Sequence, residues 1–433
     1  MSKYDYLIVG DSAAAVAAAE EIRRRDADGS VLMVSEEENL SYSRPLLPRY
    51  LSDEFPTERL SFRREDFFRK NRLEVKLGEK IIRIDPEAKS VFFKEGERLS
   101  YKKILLSTGS VPFRPRIEGL RLEGIFTFLC IAEVERIKKY LKENQVKDVL
   151  ILGGGLIGLE AAEAFFRSGC RVRIVEMAKF LLSTTFDQKA SEIMTNHLSE
   201  KGVKIETENT IVSFEGEKGK IKKVFLKKGG DFPVDLAILA IGVRPRTELA
   251  EGTAAAVEKG IVTNPAMLTN APDIFAAGDC VQTRNLMSGV KQPLPLWPEA
   301  FRQGKIAGAN MALSKSAPGE PGPKYEGGLV MNAMEVLGLP TVSVGITEDT
   351  EAEIFSDYQP EKKVYRKILI KNNRVIGYIF IGQIERSGIY TGLIKEKVEV
   401  SSFKDKLLDD DFGLIYLPSD YQKHLVKGEG IEV

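Results

Sequence analysis

Cysteine, histidine and tryptophan are scarce in this chain of 433 residues, which holds three, two and one of them. Cys130, Cys170 and Cys280 lie far apart and form no CxxC pair, so neither a disulfide framework nor a zinc site is expected. His197 and His424 leave histidine-based catalysis or metal binding little to work with, and no metal is expected. Charge of one sign is also missing, because 63 Lys and Arg balance 63 Asp and Glu. That balance gives no reason to expect nucleic acid or an anionic membrane surface as partner. No uninterrupted apolar run reaches about 18 residues, so no membrane-spanning helix is expected. Met1 to Val9 passes straight into a strand pattern, so no signal peptide is expected, and a cytoplasmic, reducing setting fits. The length exceeds what one core usually serves, and two or three domains are expected.

Glycine, by contrast, falls at informative spacings. Val149-Leu150-Ile151-Leu152 reads as a buried strand, Gly153-Gly154-Gly155 as a turn, and Leu156-Ile157-Gly158-Leu159-Glu160 as the first turns of a helix. Arg171-Val172-Arg173-Ile174-Val175 is then a second strand that ends on Glu176. In this GxGxxG pattern Gly153 makes the tight turn, Gly155 lets the backbone approach a pyrophosphate, and Gly158 lets helix touch strand. The helix start offers free N–H groups to phosphates, and Glu176 can accept from a ribose diol. A carboxylate there favours NAD(H), while Lys179 leaves NADP(H) open. An ordinary glycine-rich βαβ turn is the plainer alternative.

A looser version opens the chain. Tyr4 to Val9 is a strand, Gly10-Asp11-Ser12-Ala13-Ala14-Ala15 the turn, and an alanine-rich helix follows to about Arg25. Val31 to Ser35 is the next strand, ending at Glu36. Two prolines in Arg44-Pro45-Leu46-Leu47-Pro48-Arg49 mark a rigid turn before a helix. Residues 58–72 read as helical and arginine-rich, either a solvated face or a docking patch for an acidic redox partner. Residues 80–93 read as a hairpin, and Ile104 to Ser107 as a buried strand ending at Thr108-Gly109. Pro112 and Pro115 mark a linker, residues 211–226 a second hairpin, and Leu236 to Ala240 a strand into Ile241-Gly242. Ile274 to Ala276 is a strand before Gly278-Asp279, and a helix runs from Leu296-Trp297 to about Leu313. Residues 314–323 have linker composition. Short strands follow at 329–331, 342–344, 367–370 and 375–381, then a short helix from about Gly388.

Five motifs in order make the chain similar to the FAD-dependent pyridine nucleotide oxidoreductases with the glutathione-reductase-like fold. They are the Gly10 turn, Ser107-Thr108-Gly109-Ser110, the Gly153 turn, Ile241-Gly242-Val243-Arg244-Pro245, and Ile274 to Asp279. The resemblance implies an α/β fold with two Rossmann-like dinucleotide-binding domains, for FAD and NAD, and a C-terminal α+β interface domain. The FAD domain would be discontinuous, residues 1–114 and 246–318, with the NAD(P)H domain at 115–245 and the interface domain at 319–433. FAD would be held by Gly10, Ser12, Ala13, Ala14, Glu36, Arg44, Arg49, Ile81 through its backbone, Ser107, Thr108, Gly109, Asp279, Leu296 and Trp297. NAD would meet Gly153, Gly155, Leu156, Ile157, Gly158, Glu160, Glu176 and Gly242.

Tyr42-Ser43-Arg44-Pro45 and Leu296-Trp297-Pro298-Glu299 resemble the branch of NADH oxidases, rubredoxin reductases and nitrite reductase flavoproteins. That branch is also similar to flavoproteins accompanying carbon monoxide dehydrogenase. It implies Glu160 beside the nicotinamide, Arg49 near the isoalloxazine, and a homodimer made by the C-terminal domain. Both side chains read equally well as exposed helix residues. Relatives that reduce disulfides carry a cysteine where this chain has Pro45, and disulfide exchange needs a thiolate. The three cysteines present read as small buried apolar residues. The implied chemistry passes a hydride between NADH and FAD, and single electrons between FAD and a ferredoxin- or rubredoxin-type iron–sulfur protein. An NADH oxidase, and a flavin-binding redox sensor or assembly factor, are the alternatives.

Overall fold

In the computed structural model residues 3–316 and 322–418 are described. They fall into two compact units, one from Met1–Met177 and Asn209–Gly328, the other from Ala178–Glu208 and Leu329–Val433.

The first unit begins with β1 (Lys3–Val9), α1 (Ala13–Arg25) and β2 (Val31–Val34). Six alanines between Ala13 and Ala19, interrupted only by Val16, have the best helix propensity of any residue type, less one β-branched position. Arg23, Arg24 and Arg25 close the last turn, where the helix dipole favours cations. Two short helices, α2 (Leu47–Leu51) and α3 (Glu65–Lys70), precede β3 (Leu73–Lys76). Next come β4 (Ile81–Asp85), β5 (Ser90–Phe93) and β6 (Arg98–Leu106). The sheet runs β3-β2-β1-β6-β5-β4, and Ile274–Ala276 returns from far along the chain to pair in parallel with β6.

The small residues of α1 set how closely its neighbour packs. A Cβ on Gly304 would lie 2.1 Å from the Ala14 carbonyl oxygen, and one on Gly308 2.4 Å from that of Ala18. Alanine and glycine at matching i, i+4 positions therefore let α1 and the helix Trp297–Ser316 touch backbone to backbone.

The second sheet of this unit is parallel; after β7 (Ser110–Pro112) the chain enters it at β8 (Ile125–Phe126), and α4 (Ile131–Glu143) follows. In it β9 (Asp148–Leu152) lies between β10 (Arg171–Val175) and Leu236–Leu239, and β8 flanks the latter. The helix α5 (Leu156–Arg167) connects β9 to β10. Val149 to Leu152 and Leu236 to Leu239 are buried throughout, the continuous apolar pattern of strands covered on both faces. The β7 strand pairs antiparallel with Val243–Pro245, forming a ribbon at the two places where the chain passes between the sheets.

The second unit is an antiparallel sheet whose order is Met331–Val336, Leu339–Gly345, Arg374–Ile381, Val364–Lys371, Glu353–Gln359. Helix Ser387–Lys395 packs on it through Tyr390, whose ring centroid is 4.9 Å from that of Phe380. Helix Gln188–Glu200 is fastened to the same unit by Asp187. Its carboxylate caps the helix through Ala190 N (2.8 Å) and accepts from Tyr365 Oη (2.8 Å) and Lys367 Nζ (2.8 Å).

Four expectations need correction. Residues 58–72 are not one helix: a 3-10 turn, Thr57–Leu60, is separated from α3 by an extended stretch. Phe62 in that stretch turns inward to meet Trp297 edge-on at 5.1 Å, and Ser61 bridges to Tyr42. The strands of the second unit are longer than the apolar runs suggested, and Glu353–Gln359 is additional. The helix α4 was not anticipated, although Ile131, Val134, Ile137 and Tyr140 form its buried stripe. Of the cysteines only Cys280 is buried; Cys130 and Cys170 are half-buried. The predicted linker at 314–323 lies largely outside the described residues.

Asp187 and Lys367 are 6% and 7% exposed, so removing one charge strands the other. Lys367→Met is expected to destabilise the second unit by about 3–5 kcal/mol. Adding Asp187→Asn should recover part of that loss, as read by urea unfolding.

Candidate functional site

The first glycine turn is shaped by the strand beside it. Gly10 has φ +117°, and a Cβ there would lie 2.3 Å from the Ser107 carbonyl oxygen. Ser107 in turn donates to Val9 O from both its backbone N (2.9 Å) and its Oγ (2.8 Å). Ser12 occupies the N-cap of α1 in extended conformation with no side-chain cap bond, and the first turn holds no acid. The N–H groups around Ala13 and Ala14 thus form an anion-receptive helix start with no carboxylate competing in that turn.

Around this turn the structure gathers most of the predicted FAD residues. Thr108 Oγ1 donates to Arg246 O (2.7 Å), Gly109 has φ +71°, and Arg246 N donates to Gly109 O (3.0 Å). Arg44 donates to Leu129 O (2.7 Å) and to Glu37 Oε1 (2.5 Å), and Tyr42 Oη donates to Glu37 Oε2 (2.5 Å). Burial pushes the Asp279 carboxyl up against the opposing pull of Arg44 and of Ser110, whose Oγ donates to it at 3.3 Å. Trp297 opens its helix directly after Leu296 and is held by Phe62. Ile81 begins β4, paired with Phe93, and its side chain is buried. Pro45 is exposed within the 3-10 turn Arg44–Leu46. Glu36 is exposed and ion-paired with Arg246 and, at 3.4 Å, with Lys80. Partial burial works against its ionisation, but these two cations hold its carboxyl below the usual range.

The central turn is tighter. A Cβ on Gly153 (φ +107°) would lie 2.4 Å from Ala240 O, and one on Gly158 2.0 Å from Gly153 O. At Gly155 nothing comes within 4 Å of such a Cβ. Two of the three glycines are therefore required by packing, and the third opens space in front of the helix start. Leu156 and Ile157 form that first turn and are half-buried. Glu176 Oε2 accepts from Gly154 N (2.6 Å), which fixes the carboxylate across the turn. Gly242 (φ +105°) faces open space, and its carbonyl accepts from Phe113 N (3.0 Å).

Glu160 and Arg49 come together. Burial, then the nearby Glu163, pushes the Glu160 carboxyl up to about 7, while the positive charge of Arg49 opposes the shift. Arg49 itself is exposed and lies 5.6 Å from the Phe55 ring centroid. The plain reading of Glu160 as a solvated helix residue does not hold, because it is half-buried.

Sequence reasoning missed Asp11, Glu37, Ser35 and Ser41, which form a polar cluster at the first turn. Asp11 Oδ1 accepts from Ser35 Oγ (3.0 Å), and Ser41 Oγ donates to the Asp11 carbonyl (2.5 Å). Asp11 stands between the two motif positions Gly10 and Ser12, so its acidic character was visible but its burial was not. Among the described residues no group of three or more His, Cys, Asp or Glu is disposed to hold a metal, and no helix is long and apolar enough to cross a membrane.

The model of the pyridine nucleotide-disulphide oxidoreductase family matches residues 4–304, and that of the rubredoxin NAD+ reductase C-terminal domain matches residues 331–398. A nitrite reductase [NAD(P)H] of Bacillus subtilis is 27% identical over 403 residues. That match takes in 93% of this chain but 48% of the relative, so the chain spans about half its length. A rubredoxin-NAD(+) reductase of Pseudomonas putida is 28% identical over 390 residues, 90% of this chain and 98% of the relative. Among solved structures, an NAD-dependent persulfide reductase from A. fulgidus superposes with a TM-score of 0.83 at 26% identity, covering 94% of this chain and 79% of that one. The family implies FAD and a nicotinamide dinucleotide as cofactors, and the two glycine turns fit them: each offers an uncapped helix start, and the Gly155 position leaves room for a phosphate. With the two turns, their acids and a match over most of its length, the chain belongs to the pyridine nucleotide-disulphide oxidoreductase family and is an oxidoreductase of the FAD- and nicotinamide-dependent type.

Proposed function

We propose that this protein exchanges electrons between NAD(H) and a small iron–sulfur protein of ferredoxin or rubredoxin type, by way of FAD. The observation that carries this reading is the pairing of two dinucleotide turns in one unit with a turn after the first βαβ unit that lacks a cysteine, where Pro45 stands. Support comes from the C-terminal match to rubredoxin reductases and from the relative that reacts with rubredoxin. FAD, when bound, supplies the conversion between two-electron and one-electron transfer. The association with a carbon monoxide dehydrogenase system, the homodimer and the cytoplasmic setting rest on the sequence reading alone. The division into an FAD domain (1–114 and 246–318), an NAD domain (115–245) and an interface domain (319–433) is likewise part of the proposal.

The residues have separate tasks. The helix start at Gly155, Leu156 and Ile157 binds pyrophosphate by its N–H groups, and Gly242 leaves the opposite side clear. Glu176, already oriented by Gly154 N, accepts from the adenosine ribose and disfavours a 2′-phosphate. Glu160 hydrogen-bonds the nicotinamide amide, and Arg49 tempers its charge. Arg44, Asp279, Thr108 and Trp297 line the flavin side, with Glu36 on the other ribose.

The direct test is stopped-flow reduction by NADH, followed by mixing with host ferredoxins and rubredoxins. Reoxidation by one of them much faster than by oxygen is expected. Reoxidation by oxygen alone at the higher rate would make the protein an NADH oxidase, and slow reaction with every acceptor would make it a sensor.

The Glu176 assignment predicts that Glu176→Ala loses about tenfold in NADH affinity, the worth of one charged hydrogen bond, while NADPH affinity rises. Equilibrium binding of both nucleotides checks this.

Glu160 gives a pH prediction. Its folded value of about 7 lies above the ordinary carboxyl range, so the folded state holds this proton longer than the unfolded chain. Stability from this group is complete below the unfolded value of about 4.3 and is lost as pH rises through about 7. Glu160→Gln should therefore match the native melting temperature in acid and exceed it above neutrality, and should slow flavin bleaching by NADH about tenfold.

A further inference from the structure

We propose that Asp11 couples FAD binding to the uptake of one proton, so that the dinucleotide is held against a neutral carboxyl group rather than a carboxylate. The inference rests on the first glycine turn being the FAD site and concerns a residue that the family motif leaves free, between Gly10 and Ser12.

Asp11 is 6% exposed. One oxygen, Oδ1, is occupied by the Ser35 hydroxyl, while Oδ2 is buried with no hydrogen-bond partner among the described residues. An ionised carboxylate in such a place is costly, because a buried acceptor without a donor carries its full desolvation penalty. Two charged groups face it. Glu37, from the turn after β2, repels it, and Arg44, from the 3-10 turn Arg44–Leu46, attracts it. That guanidinium is shared, however: it is hydrogen-bonded to Glu37 and also faces Asp279. The neutral donors to the carboxyl, the Ser35 hydroxyl and the Asp11 backbone N–H, favour the ionised form but are outweighed. Burial first, and Glu37 next, push the Asp11 carboxyl up to about 6.

A pyrophosphate at the start of α1 brings two more negative charges beside a residue one position before the N-cap. Like charge disfavours ionisation, so the bound state favours the protonated acid. The free Oδ2 then changes from an orphan acceptor to a donor, the one hydrogen-bonding role a phosphate oxygen or ring acceptor can satisfy. The balance is simple: an ionised Asp11, one proton from solvent and FAD give the complex with neutral Asp11, and FAD release returns the proton. No electron moves in the step.

Flavin release from the holoenzyme, read as free-FAD fluorescence on serial dilution across about pH 5.5 to 8.5, tests it. The dissociation constant should be flat in acid and rise by up to about tenfold per pH unit above the free-state value. In Asp11→Asn, which donates permanently and does not titrate, the constant should be level across the range and lower than the native one at the alkaline end. Asp11→Ser, smaller and also non-titrating, should be level as well and serves if the asparagine variant does not fold. A flat native profile, or the same slope in both variants as in the native protein, overturns the coupling. A chain that takes up no flavin at any pH overturns the cofactor reading itself, and with it the coupling.

Discussion

Everything around the two dinucleotide turns depends on one steric condition, the approach of a turn backbone to the carbonyl of the neighbouring strand. At Gly10 that carbonyl belongs to Ser107, 2.3 Å from where a Cβ would be, and at Gly153 to Ala240, at 2.4 Å. Both glycines have φ above +100°. No L-residue with a side chain meets both conditions, since the left-handed conformation and the contact each exclude a Cβ. The same device, used twice, brings the helix start over the end of the central strand in each sheet. Once the helix start is there, its unpaired N–H groups face outward, and the acid at the end of the next strand, Glu36 or Glu176, is brought within reach of the same turn.

The electrostatics of the first unit follow from that placement. The starts of α1 and α5 present backbone N–H groups, which carry no formal charge, and no acid lies in the first turn of either helix. The acids beside the turns are each held by a specific donor: Glu36 by Arg246 and Lys80, Glu176 by Gly154 N, Glu37 by Arg44 and Tyr42. Two carboxyls stand apart from this arrangement. Asp11 and Glu160 are both shifted upward, chiefly by burial, and each shares its strongest nearby cation or has only an exposed one. Groups poised near neutrality in the two places where a cofactor changes the local charge are the ones able to respond to it.

Much of this was legible in the residues themselves. The three roles of Gly153, Gly155 and Gly158 each demand a glycine for a different reason, and the structure separates them as packing, space and packing. The buried strands were legible because they are apolar without interruption. What escaped was set by distant partners. The break in the helix over 58–72 comes from Phe62 seeking Trp297, and no local residue type announces it. The pairing of Glu36 with Arg246 spans 210 positions and joins two sites that sequence alone treats as unrelated. The strand Glu353–Gln359 is half exposed and polar, so its alternation carries little signal. The stripe Ile131, Val134, Ile137 and Tyr140 of α4 has ordinary helical spacing and is legible in the residues alone.

The cysteines decide where electrons can go once they reach the flavin side. Cys280 follows Asp279 directly, which is the position best placed for a relay. Its thiol is fully buried, pushed up to about 11 by that burial, and its Sγ lies 3.4 Å from the carbonyl oxygens of Leu106 and Ala277. A thiol in that state is almost wholly protonated near neutral pH and has lost the species that attacks disulfides. Burial raises the thiols of Cys130 and Cys170 as well. Among the described residues no second thiol stands beside any of them to resolve a mixed disulfide. The chain therefore has the entry for a two-electron carrier and no internal thiol step to follow it. A one-electron acceptor docking from outside is the arrangement that leaves both features with a purpose, since it asks of the protein only an exposed flavin edge and a complementary surface.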